Sequence, residues 1–192
     1  YKVWVPEQAA VEIKSVSGDV QVAAIGGAAK IGCVSGNVEV RGAAGADVDL
    51  VSGDLKLRDI AGDAFLKTVS GNIEVTGVKG SVEAEAVSGD IDLLDVSEAQ
   101  TVNAKNVSGD ITYTGKIKPG GRYEIKTHSG DVRMTIPADS AFDLEANTFS
   151  GDIDSTFEIQ VVGKSSPREI HGTVGKGGAT IILKTFSGNV DI

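Results

Sequence analysis

From residue 11 onward the chain alternates apolar and polar positions in short runs, and the runs repeat. In "VEIKSVSGDVQV" (11–22), Val11 and Ile13 alternate with Glu12 and Lys14. Ser-Gly-Asp then interrupts, and Val20 and Val22 alternate around Gln21. Alternation with period two marks a strand with one face buried. The interruption carries glycine and an Asx residue, the chemistry of a turn. The unit is therefore strand, turn, strand, turn.

Ser-Gly-Asp/Asn occurs nine times, with its glycine at 18, 36, 53, 71, 89, 109, 130, 151 and 188. The first spacings are 17 or 18 residues, the later ones widen to 20 and 21, and the last, 37, leaves room for a degenerate copy. The apolar slots keep step with the glycine. Val20, Val38, Leu55, Ile73, Ile91, Ile111, Val132, Ile153 and Val190 all follow it by two positions. One such unit cannot bury its apolar face alone, but stacked units share a continuous core. The expected fold is all-β: a single-stranded parallel β-solenoid (β-helix) of about nine coils of 17–21 residues, with two short strands per coil. At about 4.8 Å per coil the rod is about 40 Å long. The crossover rule for parallel strands predicts a right-handed coil. A left-handed hexapeptide helix is disfavoured because glycine recurs every nine residues rather than every six. The calcium-binding nonapeptide roll is disfavoured because its G-G-x-G-x-D pattern is missing.

The whole chain, 1–192, reads as one domain. Residues 1–15 form the first strands or cap, with "YKVWV" read as a strand. Residues 154–178 form an irregular, loop-containing coil, and 179–192 the final coil, which leaves an open sheet edge at Ile192. Glycine, 25 of 192 residues, is at about twice its usual share, as many tight corners require. A net charge of −9 argues against nucleic acid, which needs clustered Lys and Arg. The single cysteine, Cys33, permits no internal disulfide, and no apolar run is long enough for a membrane span.

Little in the motif suggests chemistry. A nucleophilic serine is needed once, whereas Ser17, Ser35 and their equivalents recur nine times, without a G-x-S-x-G elbow. His128, in "THSGD", resembles a triad only until its slot is seen to hold Val or Phe in the other coils. "GTVGKGG" (172–178) lacks the phosphate-loop pattern and reads as a turn. No catalytic residue and no cofactor is expected. In the Asx slot, Asp and Asn alternate over the first five copies, which limits repulsion between stacked carboxylates. Asp90, Asp110, Asp131 and Asp152 do not alternate, so these carboxylates either turn toward backbone donors or hold cations such as calcium weakly. In the outward slots of the strands, Asp49, Lys67, Glu85 and Lys105 form an alternating-sign column, the cross-strand pairing of a solvated sheet face.

The repeated "VSGDI" and "VSGNIEV", then "KPGGRYEIKTHSGDV" (118–132), "EANTFSGDI" (145–153) and the ending "IHGTVGKGGATIILKTFSGNVDI" (170–192) resemble the bacterial adhesin-type β-solenoid family, a domain of unknown function. The likeness runs from about Val11 to Ile192. It implies an extracytoplasmic location, periplasmic or cell-surface, and no catalytic residues. The leading expectation is a non-enzymatic cell-envelope solenoid that binds an envelope protein or a glycan. The loop at 160–178 and the wider coils at 100–150 are its expected contact regions. The alternatives are a polysaccharide-acting enzyme on a β-helix and a structural protein that self-associates end to end through an open edge.

Overall fold

The computed structural model describes residues 2–97, 99–162 and 166–192. It is an all-β parallel solenoid, with no helix among the described residues and therefore none long and apolar enough to cross a membrane. Seven turns follow one another in chain order, slightly fewer than the nine successive coils expected. Each pairs a longer strand with a shorter one. The first four are β1 (Val11–Ser17) with β2 (Val20–Ala23), β3 (Ala28–Ser35) with β4 (Val38–Arg41), β5 (Gly45–Ser52) with β6 (Leu55–Ile60), and β7 (Ala64–Ser70) with β8 (Ile73–Val78). The next three are β9 (Val82–Ser88) with β10 (Ile91–Leu94), β11 (Thr101–Ser108) with β12 (Ile111–Thr114), and β13 (Arg122–Ser129) with β14 (Val132–Thr135). The remaining strands are β15 (Phe142–Ser150), β16 (Ile153–Asp154), β17 (Gln160–Val161), β18 (Glu169–Val174), β19 (Ala179–Ser187) and β20 (Val190–Asp191).

Odd-numbered strands from β1 to β13 stack into one sheet, the long-strand sheet. Even-numbered strands from β2 to β14 stack into a second, the short-strand sheet. Register is set by the repeat: each motif serine lies beside the next, Ser52 against Ser70 and Ser70 against Ser88. The alternating aliphatics of both sheets point between them. Leu55, Leu57, Ile73, Val75, Ile91 and Leu93 from the short strands are fully buried against Leu66 and Ala84 from the long ones. The wider later coils have larger contents. Tyr113 and Tyr123 pack edge to face, ring centroids 5.6 Å apart, and their hydroxyls bond to the carbonyls of Val96 and Ala99 in the connecting turns.

Past β14 the rungs leave chain order. β15 does not stack on β13: the C-terminal strand β19 lies between them, parallel to both, and β20 likewise separates β14 from β16. The final coil is thus an interior rung, and the expectation of an open edge at Ile192 is corrected. Within the segment 154–178, the described residues hold two strands. β18 runs antiparallel along the outer edge of β15, with Phe142 opposite Val174 and Asn147 opposite Glu169, and β17 adds outside β18. The chain then crosses from one edge of β15 to the other, because Phe142 also faces Ala179 at the start of β19. "GKGG" (175–178) is that crossing turn, and Asp143 helps to hold it through the Gly178 N–H. Residues 163–165 of the expected loop lie outside the described residues. At the other end, residues 2–5 of "YKVWV" join no strand, and Val3 and Trp4 are exposed, contrary to the expected first strand.

Candidate binding face

The Ser-Gly-Asx corner is used up by the backbone. Gly53 N–H donates to the Ser70 carbonyl at 3.0 Å, and Leu55 N–H to the Asn72 carbonyl at 2.8 Å. In the opposite direction, Asn72 N–H donates to Asp54 Oδ1 at 3.0 Å. The same Asx bond links every neighbouring pair of rungs. Asp90, Asp110, Asp131 and Asp152 are among its members: Asp90 Oδ1 accepts from Asp110, Asp110 Oδ1 from Asp131, and Asp131 Oδ1 from Asn189, each between 2.7 and 2.9 Å. Asp152 donates to Asn189 Oδ1 at 3.1 Å. Asn189 therefore separates Asp131 from Asp152, and the run of stacked carboxylates is three long rather than four. The carboxylates of Asp90, Asp110 and Asp131 turn to backbone donors, whereas Asp152 joins the ladder through its backbone N–H. Among the described residues, no three His, Cys, Asp or Glu side chains stand close enough together to hold a metal ion.

Behind the corner, the slot three before the glycine points inward and is polar in the later coils. Asn106 Nδ2 donates to the Gly89 carbonyl at 2.7 Å, Thr127 Oγ1 to Gly109 at 3.1 Å, Thr185 Oγ1 to Gly130 at 3.0 Å and Thr148 Oγ1 to Gly188 at 2.9 Å. Thr68, in the same slot, is buried without a hydrogen-bond partner among the described residues.

The outer face of the long-strand sheet is where side chains remain free. The slots two and four before each glycine share the parity that points away from the core. Four before, the expected charge column is present: Asp49, Lys67, Glu85 and Lys105 lie side by side. Glu85 takes Lys67 at 3.3 Å and Lys105 at 3.4 Å. Partial burial works to raise the Glu85 carboxyl, and the two lysines outweigh it, holding it below the usual carboxylate range. Further along, Lys126 and Lys184 extend the column and pair with Glu124 and Glu145.

Two before the glycine stands an apolar column that spans the rod. In rung order it reads Val16, Val34, Val51, Val69, Val87, Val107, His128, Phe186, Phe149. The five valines from Val34 to Val107 each keep 45–50 % of their surface exposed, although stacked between neighbours. Its far end is aromatic. His128 stacks on Phe186 with centroids 4.9 Å apart, and Phe186 on Phe149 at 4.7 Å with the rings nearly parallel. His128 is thus one step in an aromatic stack, with no triad around it. An open groove of about 770 Å³ runs between the two columns from Asp49 to His128. Sequence reading missed this column as a surface. Its signal was available, since the slot shares the outward parity of the Lys/Glu column yet holds an apolar residue in eight of nine copies.

On the short-strand sheet, Asp92 is the outlying carboxyl. Burial pushes its pKa up against a bond from Thr112, and Asp90, Glu74 and Asp110 add to the rise.

A family model described as Toastrack DUF4097 matches residues 3–192. No curated protein and no solved structure matches the chain.

Proposed function

The chain belongs to the Toastrack DUF4097 family, a solenoid-type domain of unknown function, and on that premise we propose that it is a non-catalytic binding or scaffold module of the bacterial cell envelope. Its working surface is the outer face of the long-strand sheet, and its ligand is an envelope protein or an envelope glycan. One observation carries this reading: the exposed column from Val16 to Phe149 points away from the core, yet it is apolar in eight of its nine rungs. A continuous exposed apolar strip of that kind marks a contact site. The neighbouring Lys/Glu column would supply orientation and register. Support for a non-catalytic role comes from the corner chemistry, where the serine carbonyls and the Asx oxygens are occupied by backbone amides. Placement at the envelope rests on the adhesin-type resemblance of the motifs.

The test uses purified sacculi and a panel of acidic and neutral polysaccharides, with release of reducing ends followed alongside retention of the protein. The reading expects retention without turnover, lost in a Val69→Glu/Val87→Glu double variant that still melts cooperatively. Turnover of any polysaccharide would favour a β-helix enzyme instead. Retention unchanged by the double variant would move the contact off this face.

A further inference from the structure

The two ends of the rod differ. At one end β18 and β17 close the long-strand sheet with antiparallel strands, and Phe157 packs across Phe142 at 5.3 Å between ring centroids. At the other end, among the described residues, β1 and β2 are the outermost strands of their sheets and pair only with β3 and β4. The core is correspondingly incomplete there. Val11 and Ile13 are only partly buried, whereas Ala29 and Ile31, their partners on β3, are 0 % and 1 % exposed. Val3 and Trp4 add exposed apolar surface on the segment that leads into this end, where the Glu7 carbonyl accepts the Gly26 N–H.

An unpaired strand edge is a template for another strand. What β1 can pair with is written in its side chains. On its outward face it carries Glu12 and Lys14, 2.8 Å apart, on either side of the inward Ile13. Read from Ile13 in the two directions, the charges are opposite. A parallel neighbour in register would set like against like, Glu12 beside Glu12 and Lys14 beside Lys14. An antiparallel neighbour of the same sequence, centred on Ile13, sets Glu12 against Lys14 and Lys14 against Glu12, with the two Ile13 side chains adjoining on the core side. Opposite charges directly across a ladder stabilise it and like charges destabilise it.

We propose that β1 is a self-complementary docking edge, by which two copies of this chain join head to head about a two-fold axis that passes between their two Ile13 residues. The axis stands perpendicular to both sheets, so the same operation lays β2 along the second copy's β2 and completes both terminal rungs. The interface is isologous and closes on itself. Growth stops at two, because the isologous contact uses up the β1 edge of both copies.

Light scattering on the 192-residue chain, with sedimentation velocity across a concentration series, reads this directly. Expected is a mass of twice 19.7 kDa at about 100 μM, a concentration at which a dimer of micromolar affinity is nearly complete. Glu12→Lys and Lys14→Glu, each alone, set like charges opposite one another and weaken the dimer roughly tenfold. The Glu12→Lys/Lys14→Glu double variant restores the opposition and the dimer with it. Because both side chains are exposed, circular dichroism should report the same fold in all variants. A monomer throughout the series overturns the proposal, as do species growing beyond a dimer. A dimer equally strong in both single variants overturns the placement on β1.

Discussion

Asn189 donates its backbone N–H to Asp131 Oδ1 at 2.7 Å, across 58 positions of chain. The contact places the last Ser-Gly-Asx corner directly on the seventh, ahead of the corner at Gly151. Any chain that forms β15 before the C-terminus arrives must therefore admit β19 between β13 and β15.

Leu183, fully buried on β19, tests the weight of that insertion. Leu183→Ala should cost about 2–5 kcal/mol, as large-to-small changes in packed cores do. Chemical denaturation measures the loss. Amide exchange should localise it to β13, β15 and β18 while β3 to β9 keep their protection, because each coil of a solenoid contacts only its neighbours. Uniform acceleration across the rod would contradict this.

Gly71 and Gly18 occupy the same motif position with different neighbours. Both have positive φ, +135° and +107°. A Cβ on Gly71 would come within 1.9 Å of the Gly53 carbonyl oxygen, whereas one on Gly18, in the first rung, meets nothing within 4 Å. Gly18→Ala should cost only the backbone strain, about 1–2 kcal/mol. Gly71→Ala adds a clash that only a shift of the coil relieves, and should cost about 3 kcal/mol or more. Melting curves of the two variants, side by side, decide whether stacking distinguishes them.

Thr127 and Thr68 make a second matched pair. Thr127→Val deletes the bond to the Gly109 carbonyl and should destabilise by about 1–3 kcal/mol. Thr68→Val replaces a buried hydroxyl that has no partner among the described residues, so it should be neutral or stabilising. Equal losses in both variants would show that the hydroxyl bond is not what matters in this slot.

Asp92 gives a pH dependence of definite sign. Its folded pKa lies above the ordinary value of 3.8, so the folded protein holds this proton more tightly than the unfolded chain does. Stability contributed at this site is greatest below about 3.8 and falls as pH rises through the raised value. Glu85 and Glu124 act oppositely: their lowered values contribute stability that is lost as pH falls. Asp92→Asn isolates the first effect. It should raise the melting temperature at pH 7, and the gain should vanish near pH 3. A gain that persists at pH 3 would mean that packing, not charge, explains it.

Much of this was legible in the sequence, for identifiable reasons. Alternation gave the strands their buried face, and Val20, Leu55 and Ile91 are core residues as their slots require. Asp49, Lys67, Glu85 and Lys105 stand in a column because one turn of chain returns each to the same place. The apolar column was readable in the same way, from the parity that Val69 shares with Lys67. The Asx bonds were only one of two options for the carboxylates until Asp110 N–H was seen 2.9 Å from Asp90 Oδ1.

The repeat by itself determined the coil: its two strands, its glycine corner, its inward aliphatics and the register of every rung. Periodic burial imposes these locally, so a periodic sequence can state them. The order of the last rungs was decided only by the tertiary structure. β13, β15 and β19 carry the same register, with Lys126, Asn147 and Lys184 in one column and Ser129, Ser150 and Ser187 in another. Strands that are interchangeable in pattern can stack in either order. What selects the observed order is non-local: β18 turns back along the outer edge of β15, and the turn at 175–178 carries the chain across to the inner one.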